Sequence, residues 1–198
     1  MKIYDISQEV FSCVVFPGDP APKKETLNSM DNGDLYNLTS FSMCAHNGTH
    51  IDAPSHFMDD GANIDSIPLS KTVGYAYVAE HNGTINASDI KSILEKAEGI
   101  YPEAAKRILI NGRATLSFEA AEVIAASDVV LFGNESQTVG PEDAPMAVHK
   151  LLLGKKIVLL EGIRLGGVEE GVYLLNAAPL NLGGCEGAPC RAILIDLK

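Results

Sequence analysis

The sequence lacks any basic surface. Fifteen lysines and arginines face 26 aspartates and glutamates, leaving a formal net charge of -11, and basic residues occur at most in adjacent pairs. Phosphate backbones and anionic lipid surfaces both require a concentrated basic face, so nucleic acid and membrane are excluded as partners. Also missing is an apolar run near the roughly 18 to 20 residues that cross a bilayer. The apolar stretch Val10 to Phe16 follows Asp5 and Glu9 rather than a basic region, which does not fit a secretory leader. A cytoplasmic protein acting on a small molecule is therefore expected. The four cysteines, Cys13, Cys44, Cys185 and Cys190, form neither a Cys-x-x-Cys pair nor a disulfide-framework spacing, and are expected to be buried thiols. There is no internal repeat, low-complexity tract or Gly-rich phosphate loop; the pairs Gly166-Gly167 and Gly183-Gly184 suit turns.

What is present is enough apolar material for one core. With 198 residues and 46% hydrophobic composition, a single domain spanning residues 1–198 is expected. Lys2 to Ile6 and Val10 to Phe16 have strand composition, and Pro17-Gly18-Asp19-Pro20 forces a turn. Pro22 to Tyr36 shows little periodicity and is expected to be a long surface loop. From residue 71 strands and helices alternate. Strands are expected at Lys71 to Glu80, Arg107 to Ile110, Asp128 to Phe132, Lys156 to Leu160, Gly171 to Leu175 and Arg191 to Leu197. Helices are expected at Ser88 to Ala97, Phe118 to Ala126 and Pro145 to Leu153. The fold class is α/β with a mixed sheet.

Three of the five histidines fall within eleven residues, in His46-Asn47-Gly48-Thr49-His50-Ile51-Asp52-Ala53-Pro54-Ser55-His56. Gly48, Pro54 and the β-branched Thr49 and Ile51 disfavour a helix there. In an extended chain, residues of like parity share a face, which groups His46, Gly48, His50 and Asp52. Full extension would hold His46 and His50 about 13 Å apart at roughly 3.3 Å per residue, so a turn at Asn47-Gly48 is needed to bring both rings to one ion. Pro54 stops the strand and lets His56 return toward the same point. Imidazoles with a carboxylate favour zinc, manganese or iron over calcium and magnesium. With thiolates absent apart from Cys44, an open catalytic site is favoured over a closed structural one.

Two residues far downstream join the candidates. Glu161 ends the apolar run Ile157 to Leu160, where a lone charge is costly; a metal would relieve it, and so would an ion pair with Arg164. His149 shares a helical face with Leu152 and is expected to point inward, either as a hydrogen-bonded core histidine or as a ligand. His81, at a turn, is given no function.

The segment His46 to His56 resembles the His-x-Gly-Thr-His-x-Asp-x-Pro-x-His signature of the cyclase family of metal-dependent hydrolases, which includes bacterial kynurenine formamidases and isatin hydrolases. Phe16-Pro17-Gly18-Asp19, Asp60-Gly61 to Pro68, and Ala144 to Glu161 resemble further family elements, so the likeness spans nearly the whole chain. The resemblance implies a swivelling β/β/α fold assembled as a homodimer. It implies two zinc ions per subunit, with manganese as the alternative: His46 and His50 on the first, His149 on the second, Asp52 and Glu161 bridging both. It makes His56 the acid/base residue and Phe16 a substrate contact, and implies hydrolysis of an arylamine formamide, N-formylkynurenine to kynurenine and formate. Formamidases carry tryptophan where this chain has Phe16; Phe stacks on a ring but offers no N–H donor. A family stretch resembling Gly-Thr-Asp-x-x-Ser-Val-Asp stands here as Gly133 to Gly140 with several changes. Alternatives are a hydrolase of a cyclic amide, lactone or other acyl substrate, a non-catalytic metal- or ligand-binding protein, and thiol-dependent catalysis through Cys44 or Cys185.

Overall fold

The computed structural model describes residues 1–141 and 144–197. Its strands are β1 (Lys2–Asp5), β2 (Lys23–Asn28), β3 (Leu38–Ser42), β4 (His50–Asp52), β5 (Val73–Glu80), β6 (Gly83–Ile85), β7 (Arg107–Asn111), β8 (Ala114–Leu116), β9 (Leu131–Asn134), β10 (Val158–Glu161), β11 (Gly171–Asn176), β12 (Gly187–Pro189) and β13 (Ile193–Asp196). The helices are α1 (Leu69–Thr72, one turn), α2 (Ala87–Ile100), α3 (Phe118–Ala125) and α4 (Met146–Gly154). Nine strands form one mixed sheet in the order β1-β13-β11-β5-β7-β9-β10-β4-β12. The four central strands, β5, β7, β9 and β10, run parallel, and the flanking pairs are antiparallel. This is the expected α/β fold.

Side-chain alternation divides the core in two. Ile108, Ile110, Phe132 and Leu159 pack with helix residues Ile90, Ala97, Ala120, Ile124, Val148 and Leu152. Their neighbours Leu109, Leu131, Val158 and Leu160 pack on the opposite face with Ile51, Ile163, Leu175 and Leu194. Both faces of the parallel strands are therefore covered, which is why these strands read as continuous apolar runs. Helix α2 starts at a capping box: Asn86 Oδ1 accepts from the Ser88 and Asp89 amides, while Asp89 accepts from the Asn86 amide.

Two expectations for the first third fail. Val10 to Phe16 is not a strand: Val10–Ser12 is a 3-10 turn in which the Glu9 carboxylate accepts from the amides of Phe11 and Ser12 and from the Ser12 hydroxyl. These local bonds take up the amides a ladder would need. Nor is Pro22 to Tyr36 a loop. It supplies β2, which pairs antiparallel with β3 as a separate hairpin around a turn closed by Gly33. Almost every residue of that hairpin is exposed on both faces, so no inside–outside alternation was written into it. The strand expected at Asp128 to Phe132 is observed later, at Leu131–Asn134, and β6, β8 and β12 were not anticipated. The four cysteines, expected to be buried thiols, are free and partly buried, with Cys185 and Cys190 packed against the core.

Candidate metal centre

The sheet register assembles the site. Strand β4 pairs antiparallel with β10 so that His50 lies opposite Glu161 and Asp52 opposite Leu159. Directly opposed residues project to the same face, and the packing of Leu159 against the helices fixes which one. His50, Asp52 and Glu161 thus rise on the helix-bearing face, where α4 delivers His149 from above.

 The buried Ile51 between them points to the other layer.

The turn before β4 folds as the spacing required. Gly48 adopts a left-handed backbone (φ +71) that other residues rarely take. The reversal brings the His46 and His50 ring centroids to 5.1 Å. Thr49 anchors it, donating to the Gly162 carbonyl at 2.7 Å and accepting from the Gln8 amide at 2.9 Å. Past Asp52, a 3-10 turn at Pro54–His56 returns the chain, and the His56 ring stacks on His46 with centroids 4.0 Å apart.

Asp52 is the hub. Its Oδ1 lies 2.9 Å from His46 Nδ1 and 3.4 Å from His50 Nε2, and its Oδ2 lies 3.7 Å from His149 Nε2. Glu161 Oε1 accepts from the Val139 amide at 2.8 Å and lies 3.0 Å from His149 Nε2, while Oε2 lies 3.5 Å from His50 Nε2. The ion pair between Glu161 and Arg164 does not form; Arg164 instead donates to the carbonyls of Glu135 and Ile163. His50 Nδ1 donates to the Gly48 carbonyl and His149 Nδ1 to the Pro145 carbonyl, at 3.0 and 2.9 Å. Each bond fixes the ring so that Nε2 faces the carboxylates, the arrangement by which backbone acceptors orient metal-binding imidazoles.

The two carboxylates set the proton affinities of the histidines around them. Burial opposes charge on His50, but Asp52 and Glu161 outweigh it and hold the imidazole pKa up at about 10. For His149 burial is likewise overcome, chiefly by Glu161, and the pKa rises to about 9. Burial would raise Asp52, yet His46 and His50 keep its carboxyl well below the usual range. His56 differs: burial dominates and lowers it. His50 Nε2 and Asp52 Oδ2 are buried without a hydrogen-bond partner, a costly arrangement that a shared cation would relieve. Two sets of donors lie close enough to hold an ion, His46–His50–Asp52 and Asp52–His149–Glu161, with Asp52 common to both. The nitrogen and oxygen donors fit a divalent transition-metal ion.

A cavity of about 220 Å³ opens over the cluster, lined in part by Phe16, Asp19, His56 and Phe57. No cysteine lines it. The structure thus brings together all of His46, His50, Asp52, His56, His149, Glu161 and Phe16, and leaves His81 apart, 4.0 Å from Asp89. One site residue was missed. Glu186 Oε1 lies 3.2 Å from His46 Nε2, but it comes from a loop 140 residues downstream with nothing local to flag it.

A family model described as putative cyclase matches residues 4–141. The chain belongs to the cyclase family. Among cyclase-family relatives, a kynurenine formamidase from Erythrobacter litoralis is 31% identical over 207 residues, covering 99% of this chain and 94% of that protein. A kynurenine formamidase from Salinibacter ruber is also 31% identical, covering 99% of this chain and 98% of that protein. Among solved structures, a predicted metal-dependent hydrolase from Bacillus stearothermophilus is 28% identical with a TM-score of 0.81, over 98% of this chain and 97% of that one.

Proposed function

We propose that this single catalytic domain, residues 1–198, is a metal-dependent amidohydrolase that cleaves an arylamine formamide, converting N-formylkynurenine to kynurenine and formate. The observation that carries the reading is the pair of donor sets meeting at Asp52, with His50 Nε2 and Asp52 Oδ2 left unpartnered inside. The full-length likeness to two kynurenine formamidases supports the substrate. His46 and His50 would hold one ion and His149 a second, bridged by Asp52 and Glu161; zinc is the proposed metal and manganese the alternative. Such ions supply Lewis acidity that polarises a carbonyl and activates water near neutral pH.

The remaining chemistry belongs to side chains. His56 is held by stacking on His46, and its lowered pKa leaves the imidazole neutral at pH 7, able to accept a proton from the attacking water. The arylamine is a poor leaving group, and the imidazolium of His56 returns that proton to its nitrogen as the C–N bond breaks. Phe16 and Phe57 give the cavity aromatic walls on which the substrate ring can stack.

A homodimer in the cytoplasm is part of this reading. The hairpin of β2 and β3 exposes Leu27, Leu35, Tyr36, Leu38 and Phe41, an apolar surface suited to a second copy. Among the described residues no helix is long and apolar enough to cross a membrane. The test is formate release from N-formylkynurenine: activity should vanish on chelation and return with zinc or manganese. Turnover untouched by a chelator would refute the proposal.

A further inference from the structure

Beside the metal centre lies a second, larger cavity of about 720 Å³. Phe16, Gln137 and Thr138 line both spaces, so a ligand with its reacting group among the histidines can extend directly into it. One wall is apolar, running from Val14 to Pro17. Arg113 and Arg164 also line the cavity, in a chain whose net charge is -11.

Among the described residues neither arginine forms an ion pair with a carboxylate. Arg164 uses Nη1 on the Glu135 and Ile163 carbonyls, and the Arg113 side chain makes no hydrogen bond or ion pair among the described residues. Glu135 also lines the cavity, but its two oxygens accept the amides of Gly112 and Leu165 at 3.0 and 2.7 Å. Its charge stays beside the arginines and disfavours a dianion such as phosphate, whereas a single carboxylate matches the fork of a guanidinium.

We propose that this cavity is a carboxylate subsite: Arg113 and Arg164 bind an acid group carried on the substrate's side chain while the formamide occupies the metal centre. The assignment rests on the formamide-hydrolase reading and adds to it the two residues that select a substrate whose side chain ends in a carboxylate.

The test compares N-formylkynurenine with its methyl ester, which removes the carboxylate charge while keeping the α-ammonium group and the formamide intact. The acid should be preferred in kcat/KM by at least about tenfold, the scale of one hydrogen bond to a charged group, and the preference should shrink as salt is raised. Arg164→Gln should reduce that ratio about tenfold, with partial recovery in Arg164→Lys. Because Arg164 also supports two carbonyls, Arg113→Gln serves as the variant whose side chain makes no hydrogen bond among the described residues, and should reduce the ratio as well. Calorimetric binding of kynurenine and its methyl ester supplies a readout independent of turnover. Tighter binding of the acid in the unmodified protein, lost in both glutamine variants, supports the subsite even where neither formamide is hydrolysed, in which case only the formamide reading falls. Equal handling of acid and ester, or a preference unchanged in both variants, overturns the subsite.

Discussion

Replacing Gly187 with alanine adds one methyl group and no new chemistry, yet it should disable the site. Gly187 sits on β12 opposite Asp52 and does not occupy the left-handed region, so alanine's backbone preferences are not at issue. The added Cβ would meet His46 Cε1 at 2.8 Å and the Ile51 carbonyl oxygen at 2.9 Å. Carbon atoms in contact prefer at least about 3.5 Å, leaving the ring about 0.7 Å too close. The Ile51 carbonyl belongs to β4, so relief requires either separation of β12 from β4 or displacement of the His46 ring. Either route disturbs the 2.9 Å contact to Asp52 and the 4.0 Å stack on His56. Overpacking of this kind costs about 1–3 kcal/mol, and at about 2–4 °C per kcal/mol for a chain of this size the melting temperature should fall by about 2–12 °C. Misplacing a catalytic group by this much should lower kcat/KM by up to about a hundredfold. The assay pairs formate release with a thermal melt, using Gly183→Ala as the control because nothing lies within 4 Å of its added Cβ. Unchanged kcat/KM and melting temperature in Gly187→Ala, or an equal loss in Gly183→Ala, would refute this account of how His46 is placed.

Further outcomes follow from the same geometry. His56→Ala should reduce turnover by about 10²- to 10⁴-fold while metal content stays at the unmodified level; loss of metal would make His56 a ligand instead. In ion-free protein His50 and His149 have pKa values raised to about 10 and about 9, so their contribution to stability is complete below pH about 6.5 and is lost as pH rises through those values. An ion must displace those protons, so calorimetry at pH 8 in buffers of different ionisation heat should show proton release on metal binding, and buffer-independent heats would contradict it. Alkylating the free cysteines should leave activity intact where a chelator abolishes it, since no cysteine lines the cavity; the reverse result would favour thiol chemistry.

How much the sequence disclosed depended on how far apart the cooperating residues lie. His46 to His56 were legible because Gly48 and Pro54 dictate the bends locally, with no information from elsewhere in the chain. Glu161 was marked by its charge at the end of an apolar strand and His149 by the helical face it shares with Leu152. Glu186 carried no such mark, since only the pairing of β12 with β4 brings its loop to His46. Periodicity located the parallel strands and helices, whose buried faces impose it. It failed where burial imposes nothing, as in the β2–β3 hairpin, and where a side chain captures the backbone, as Glu9 does beside Val10–Ser12.

The central claim is that residues from β4, α4 and β10 share cations through Asp52. Anomalous diffraction at the absorption edge of the bound metal, from the unmodified protein and from Asp52→Asn, tests it most directly. The account predicts density enclosed by His46, His50 and Asp52, with a second peak beside His149 and Glu161, and depletion of both when the shared carboxylate becomes an amide. No peak at either position in metal-loaded protein, or both retained at full strength in Asp52→Asn, would contradict it.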